Sequence, residues 1–142
     1  MTLYRFPDNL YTDVRIEKVY STKILLENFE IKQNKTKVDT GAMIRIFDGR
    51  RWYYNATTEV NDIQAAIDNL ATMAVPDPAI GKHPVVRRIE VNRGEHLRYA
   101  DNPVHAIGNS EKMALLQTYA PILVNEPGVQ KSRIYYLDNY TA

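Results

Sequence analysis

The chain has 142 residues, 44% of them hydrophobic and 25% charged, a balance typical of a single soluble globular domain with a core of its own. Its formal net charge of +1 at neutral pH shows no basic or acidic excess, so composition predicts neither a nucleic-acid nor a membrane partner. The absence of cysteine excludes disulfides, cysteine zinc sites and thiol nucleophiles, and fits a cytoplasmic protein.

The start of the chain does not resemble a signal peptide, because Arg5, Pro7 and Asp8 stand where an apolar segment would be needed. No apolar run approaches the roughly 18 residues that a membrane helix requires. We therefore expect a soluble, unprocessed chain.

The first predicted strands lie in residues 13–33. Apolar and charged residues alternate over 13–17, which indicates a half-buried strand. Aliphatic and β-branched residues over 22–27 predict a second strand, and Asn28 is a plausible turn residue before a third over 29–33. The lysines that follow favour an edge position for the third strand.

An Asp48-Gly49 pair separates two further predicted strands, 42–47 and 50–54. This pair tolerates positive φ at both turn positions, as a two-residue type I′ hairpin requires. We therefore expect these two strands to pair.

An amphipathic helix is predicted next, since Asn61 and Gln64 have capping-box spacing. Apolar residues then recur on one face at helical period. They are Val60, Ile63, Ile67, Leu70 and Ala74. Two prolines, at positions 76 and 78, end the pattern.

Residues 75–109 contain several prolines and glycines and read mostly as loop, with one predicted strand over 85–91. Asn109 or Ser110 can cap a second helix that reaches Ala120, where Pro121 closes or kinks it. A last strand is predicted over 132–140, whose apolar members are Ile134 with Tyr136, or Tyr135 with Leu137.

These elements predict an α+β fold: a curved, largely antiparallel sheet of about five to six strands with two helices packed on one face. Residues 1–142 read as a single domain. A strand that runs to the last residues of the chain suggests that Ala142 is a fragment boundary.

Three histidines are the first candidates for a metal site: His83, His96 and His105. Their spacing matches no compact ligand motif, and His96 has no second histidine one helical turn away. We therefore interpret all three as loop histidines that bind no metal.

Two carboxylate pairs, Asp13 with Glu17 and Glu59 with Asp62, could in principle perform acid and base chemistry. A cross-strand charge ladder is the favoured reading of the first pair, because Arg15 stands between its members. Ser21 and Thr22 have no base nearby, and the six glycines are isolated, so neither a nucleophile nor a phosphate loop is predicted. We accordingly assign no catalytic, cofactor-binding or metal-binding residue to this chain.

Two surface features remain open to interpretation. The run Trp52-Tyr53-Tyr54 could stack a base or line a peptide groove, but core or interface packing is favoured because a strand sends these side chains to both faces. A loosely basic stretch is interrupted by Glu90 and Glu95, and a solvated, mixed-charge surface is favoured there. Its cations are Lys82, Arg87, Arg88, Arg93 and Arg98.

Four segments together carry a family resemblance: residues 11–18, Ser21, residues 40–57 and residues 63–70. They resemble the opening of the N-terminal domain of the TldD/PmbA family, proposed zinc metallopeptidases once described as modulators of DNA gyrase. The resemblance is clearest over residues 11–74 and weak over 75–106.

The resemblance implies peptide-bond hydrolysis in which zinc activates water and polarises the scissile carbonyl. The family's zinc-binding segment, His-Glu-x-x-x-His, does not occur in this sequence. We therefore expect no cofactor in this chain, with zinc in the full-length protein. The expected partners are a downstream catalytic domain, a second subunit in a homo- or heterodimer, and a peptide substrate.

In this reading the chain is a non-catalytic domain that shapes the peptide cleft and the subunit interface. The alternative is a free-standing α+β binding or assembly module without peptidase activity, which would use residues 75–109 and the aromatic strand for recognition.

Overall fold

The computed structural model describes residues 4–90, 94 and 99–142. The strands are β1 (Tyr11–Glu27), β2 (Glu30–Phe47), β3 (Trp52–Thr57) and β4 (Arg133–Thr141). The α-helices are α1 (Ile63–Ala71), α2 (Pro84–Arg87), α3 (Asn109–Gln117) and α4 (Ala120–Val124). Single 3-10 turns occur at Val60–Asp62, Ile80–Lys82 and Val104–Ala106.

The fold is α+β, as predicted, with an open antiparallel sheet whose strand order is β3-β2-β1-β4. The described residues form four strands, so the expected five to six is wrong. Two pairs of predicted strands, 13–17 with 22–27 and 29–33 with 42–47, are each one long strand, because no proline interrupts either run. The expected number of helices was also too low.

The turn between β1 and β2 consists of Asn28 and Phe29, with φ of 46° and 66°. Two residues at positive φ are what a type I′ hairpin needs, and asparagine tolerates this conformation better than phenylalanine does. The predicted turn residue is therefore correct, but Phe29 belongs to the turn and not to the following strand.

Contacts group the chain into two compact units. The first unit consists of Met1–Glu17 and Thr40–Glu95, and the second consists of Lys18–Asp39 and His96–Ala142. The core of the first unit lies between α1 and the inward residues of β2, in the positions that the helical and strand periodicities predicted. It consists of Ala42, Ile44, Ile46, Ile63, Ile67, Leu70 and Ala74.

The loop between β2 and β3 differs from the predicted two-residue turn. β2 and β3 do pair, with Phe47 opposite Trp52, but four residues connect them and only Gly49 has positive φ, at 89°. Asp48 instead organises the loop through its side chain, whose Oδ1 accepts hydrogen bonds from the backbone N–H of Arg50 (2.8 Å) and Arg51 (2.7 Å). This is an Asx-type turn, a competing use of the same residue.

The predicted capping box of α1 is absent. Asp62 occupies the N-cap position without a side-chain cap, and Gln64 faces the N-terminal segment. The Gln64 amide accepts from the backbone N–H of Arg5 (2.9 Å) and donates to its carbonyl (3.0 Å). Gln64 therefore ties residue 5 to α1 and does not cap the helix.

The strand expected over 85–91 is wrong where it can be compared, since α2 occupies Pro84–Arg87; residues 91–93 lie outside the described residues. Proline at the first helical position has the right φ and needs no hydrogen-bond partner. The His83 ring Nδ1 accepts from the backbone N–H of Val85 (3.2 Å), which caps the helix.

The core of the second unit lies between α3 and the β1–β4 pair. Its buried members are Ile24, Leu26, Met113 and Leu116, with Ile134 and Tyr136 packed against them. The N-cap of α3 is Gly108, so the prediction of Asn109 or Ser110 at this position is wrong. The Asn109 side chain instead forms hydrogen bonds with Asn34 and Thr36 on β2. Pro121 lies in the first turn of α4 and so begins a helix.

No helix in the described part of the chain combines the length and apolarity needed to cross a membrane.

Candidate functional site

The two histidines in the described part of the chain, His83 and His105, pack against aromatic rings, and His83 also caps a helix. His83, in the first unit, caps α2 and contacts the Phe47 ring at 5.0 Å between centroids. His105, in the second unit, stacks on Tyr140 (4.1 Å) and contacts Tyr20 with its ring tilted (4.6 Å). His96 lies outside the described residues. Within the described ranges, no three His, Cys, Asp or Glu side chains group as a metal site would require.

The first carboxylate pair is engaged in charge pairing. Asp13 accepts two hydrogen bonds from the Arg45 guanidinium, at 2.9 and 2.7 Å, across β1 and β2. The Tyr11 hydroxyl donates to the same carboxylate (2.9 Å), and burial together with that hydrogen bond raises the pKa of Tyr11 to about 12. Glu17 forms an ion pair with Arg15. The first of these ion pairs is part-buried and links two strands, whereas the second is exposed and lies within β1.

The second carboxylate pair, Glu59 and Asp62, stands at the entry to α1. The backbone N–H of Glu59 bonds the Thr57 hydroxyl (2.9 Å), and Asp62 is the N-cap of the helix. Ser21 lies on β1 opposite Asn139 of β4. Its neighbour Thr22 lies opposite Asp138, hydrogen-bonds that carboxylate and accepts a hydrogen bond from Lys112.

The aromatic residues of β3 are divided between the two sheet faces, as strand alternation predicted. Tyr53 packs against the core of the first unit and donates its hydroxyl proton to Asp48 (2.9 Å). Trp52 and Tyr54 share the opposite face, with near-parallel rings 6.3 Å apart. Phe47 stacks on Trp52 at 4.8 Å.

Arg45 and Tyr11 extend this aromatic face. The guanidinium carbon of Arg45 lies 5.2 Å from the centre of the Trp52 ring, and Tyr11 meets the same ring edge-on at 5.9 Å. We call Tyr11, Arg45, Phe47, Trp52 and Tyr54 the aromatic face of the first unit. Tyr54 is 55% exposed, so the face remains open to a ligand or a partner at that end.

Asp48 is a buried charge with a structural task. Burial opposes its ionisation, but hydrogen bonds from Arg51, Arg50 and the Tyr53 hydroxyl outweigh this and lower the pKa of Asp48 to about 2. A fourth donor, the backbone N–H of Val75, lies 3.5 Å from the carboxylate. The carboxylate thus joins the hairpin loop to the segment that follows α1.

A second buried charge lies in the other unit, and sequence reasoning missed it. The Lys112 ammonium on α3 is 2.7 Å from the Asp138 carboxylate on β4 and donates to the Thr22 hydroxyl (3.1 Å). Burial opposes ionisation of Asp138, but Lys112 and the Tyr136 hydroxyl outweigh it and lower its pKa. Burial and Asp138 together raise the pKa of Tyr136 to about 12.

A sequence signal for this pair did exist. Asp138 follows Ile134 and Tyr136 at the spacing of two that places strand residues on one face. Lys112 precedes Met113 on the buried side of α3. The pair joins α3 to β4 and acts as an ion pair that holds a helix to a sheet.

The outer strand β4 presents a different kind of surface. Tyr135 and Leu137 point away from the core of the second unit and are 49% and 56% exposed. The alternative left open by the sequence is thus decided: Ile134 and Tyr136 face inward. Because β4 ends the strand order, one side of its backbone has no strand partner among the residues that the structure describes.

A shallow hollow of about 310 Å³ lies near the β1–β2 turn, and its walls are polar and apolar in about equal measure. It is lined by Asn28, Phe29, Leu123, Val124, Val129, Gln130, Lys131 and Ser132. No cluster of titratable groups faces it, so it offers packing surface and no evident chemistry.

The described residues therefore define an α+β domain with exposed apolar surfaces and structural buried charges. Residues 12–74 match the family model described as PmbA/TldA metallopeptidase domain 1. This stretch, which holds most of β1 and all of β2, β3 and α1, is thus similar to the first domain of that family.

Solved structures agree with this at the level of fold. A proposed modulator of DNA gyrase from Bacteroides thetaiotaomicron VPI-5482 superposes with a TM-score of 0.59 at 13% identity, covering 94% of this chain and 31% of that one. A second, from Thermotoga maritima MSB8, gives 0.48 at 11% identity, covering 92% and 31%. The chain thus spans about a third of these proteins, and the first similarity shows a shared fold. Comparison with curated proteins finds no match.

Proposed function

We propose that this chain is the non-catalytic N-terminal domain of a TldD/PmbA-like zinc metallopeptidase. The family match over residues 12–74 carries this proposal. Within the described residues no His, Cys, Asp or Glu side chains form a ligand set for zinc, and we assign no step of hydrolysis to them. Zinc and the water that it activates would belong to a downstream domain.

The role proposed for this domain is to shape the peptide cleft and to join subunits. Exposed apolar side chains on an open-edged sheet support it, since such surfaces on a soluble protein usually serve contacts with partners. Tyr135 and Leu137 on β4, and Tyr54 on the aromatic face, are the residues that we assign to such contacts. A cytoplasmic location is part of the same proposal, and the cysteine-free composition supports it.

Reading the gene beyond codon 142 is the first test. We expect the frame to continue into a His-Glu-x-x-x-His segment, and an immediate stop codon would argue against a peptidase encoded in the same chain. The second test compares the full-length protein with a form lacking residues 1–142. We expect both to retain zinc, and the shortened form to lose hydrolysis of an unfolded peptide.

A matched variant separates the two parts of the proposal. Tyr135→Ser with Leu137→Ser in the full-length protein should weaken subunit association measured by sedimentation, while Tyr135→Phe should leave it unchanged. Peptidase activity that survives removal of the whole domain would contradict the proposed role.

The second candidate function is a free-standing binding or assembly module. The observation in its favour is that 94% of this chain superposes on 31% of a longer structure, so one part of that structure accounts for nearly all of this chain. A purified chain that stays monomeric at high concentration, together with a stop codon after Ala142, would favour this module.

A further inference from the structure

We propose that one end of the first unit binds single-stranded nucleic acid, with phosphates on a cluster of unpaired cations and bases on the adjoining aromatic face. The proposal does not depend on the peptidase reading. It rests on two groups of residues that are distant in sequence and meet in the structure.

The first step is the contact between the β2–β3 loop and the segment before α2. The Phe47 ring meets the His83 ring at 5.0 Å, and a Cβ placed on Gly49 would lie 3.7 Å from Ile80 and 4.0 Å from His83. The backbone N–H of Arg87 donates to the His83 carbonyl (3.0 Å), so α2 starts at this contact. The loop and α2 therefore form one continuous surface.

This surface carries five exposed cations, which we call the basic end. None of their side chains makes an ion pair or hydrogen bond with another described residue, in contrast to Lys32, Lys37 and Arg45, which have carboxylate partners. The basic end consists of Arg50, Arg51, Lys82, Arg87 and Arg88.

The carboxylates nearby do not neutralise these cations. Asp48 is 6% exposed and committed to hydrogen bonds within its loop. Half-buried Asp77 accepts from the backbone N–H of Ala79 (2.8 Å) and forms no ion pair with these cations. Glu90 follows Arg88 by two residues and is the remaining acid of this segment within the described part. A net positive surface results, and it attracts a polyanion.

The aromatic face identifies the class of polyanion. A row of rings leads from half-buried His83, beside the basic end, through buried Phe47 and half-buried Trp52 to Tyr54. Tyr54 is 55% exposed and is the ring of this row most open to a base. Single-stranded nucleic acids bind by such a combination, because cations follow the backbone while aromatic rings stack on bases. An acidic peptide would use the cations but would leave the rings without a role.

Sequence alone gave a different reading of these cations. Lys82, Arg87 and Arg88 are part of a stretch that the sequence predicts to be a mixed-charge surface, because Glu90 and Glu95 interrupt it. Arg50 and Arg51 stand about thirty positions earlier and are not part of that stretch. Folding of the hairpin loop against His83 adds two cations and the aromatic row to that surface.

The test uses the 142-residue chain with fluorescein-labelled twelve-nucleotide oligo(dT) and oligo(U), followed by anisotropy. Trp52 is the one tryptophan of the chain, so quenching of its emission reports directly on the aromatic face. We expect both signals to change together. Affinity should fall with salt, with a log–log slope of up to about −3.5 if all five cations contact phosphates. Preference for one oligonucleotide would tell DNA from RNA as the source of the strand.

Two pairs of substitutions locate the cations. Arg50→Ala with Arg51→Ala, and independently Arg87→Ala with Arg88→Ala, should each weaken binding about tenfold or more and reduce the steepness of the salt slope by about 1.4. The matched control, Lys35→Ala with Lys37→Ala, removes the same charge from β2 in the other unit and should change affinity less than twofold. A thermal melt of each variant shows that it is folded.

Two single substitutions of Tyr54 test the aromatic face. Tyr54→Ala should weaken binding at least about fivefold, while Tyr54→Phe, which keeps the ring, should bind like the parent protein. Displacement of the oligonucleotide by poly-L-glutamate of equal charge, without any change in Trp52 emission or any effect of Tyr54→Ala, would replace the proposal with an acidic-peptide site. Absence of oligonucleotide binding at low salt would overturn it.

Discussion

Replacing Lys112 by methionine should remove a large part of the stability of this protein. The lysine side chain is 2% exposed and its partner Asp138 is 10% exposed. If one of the two charges is removed, water therefore cannot solvate the charge that remains. Methionine keeps an unbranched apolar stem of similar length, which confines the change to the loss of the ammonium group. The substitution therefore leaves one buried carboxylate without its counter-ion.

The expected loss for Lys112→Met is about 3–5 kcal/mol at pH 7, the usual cost of removing one partner of a buried ion pair. A typical domain has only about 5–15 kcal/mol of stability in total. The midpoint of thermal unfolding should accordingly fall by roughly 10–15 °C, at about 3 °C per kcal/mol for a chain of this size. Urea unfolding followed by circular dichroism measures the free energy directly.

The pH dependence of this loss supplies a second readout. In the parent protein the pKa of Asp138 is lowered, so its charge stabilises the fold above the unfolded pKa and this contribution is lost in acid. Without Lys112, burial dominates and the pKa of Asp138 rises above its unfolded value, so the variant is penalised more as pH rises. The difference between the two proteins should therefore be largest near pH 7 and shrink towards pH 4.

The double variant Lys112→Met with Asp138→Leu is the control, because it removes both charges. It should lie within about 1 kcal/mol of the parent protein or exceed it, since apolar replacements of buried pairs are often neutral or better. The cycle of single and double variants isolates the coupling. A loss below about 1 kcal/mol for Lys112→Met, or a loss that does not change with pH, would refute the buried ion pair.

Three other predictions concern the hairpin loop and the outer strand. Gly49→Val should lower the unfolding free energy by at least ~1 kcal/mol in urea, since φ is 89° and the new Cβ would lie 3.2 Å from Asp77; an unchanged midpoint would contradict this loop geometry. Stability due to ionised Asp48 should be lost as pH falls from about 4 towards its folded pKa of about 2, and Asp48→Asn should lack this loss in acid melts; identical profiles would argue against it. Light scattering over a concentration series should show self-association that weakens with Tyr135→Ser and Leu137→Ser, whereas a strictly monomeric chain would indicate a self-contained sheet.

Local patterns predicted the elements that periodicity alone defines. The apolar face of α1 and the alternation on β2 follow from geometry that is independent of the rest of the chain, and both pack as expected. The resemblance of the first half of the chain to a known domain was readable for the same reason, because its residues are contiguous. The absence of a His-Glu-x-x-x-His segment is likewise a property of the sequence itself.

Other details depend on which hydrogen-bond partners a side chain meets in the folded protein, and these partners could not be predicted from the sequence. Asp48 could have served a two-residue turn, but four hydrogen-bond donors, among them one from residue 75, hold it in a longer loop. Gln64 could have capped α1, but the backbone of Arg5 provides both a donor and an acceptor for its amide. Such choices depend on groups that come together only when the chain folds.

The candidate surfaces depend on tertiary structure still more strongly. Lys112 and Asp138 lie 26 positions apart, and only the packing of α3 on β4 makes them a pair. Arg50 and Arg87 belong to different elements, and the contact of the hairpin loop with His83 brings their surfaces together. Sequence fixes which charges and rings the chain possesses, while folding decides which are neutralised inside and which remain available at the surface, because burial and charge pairing act through space and not along the chain.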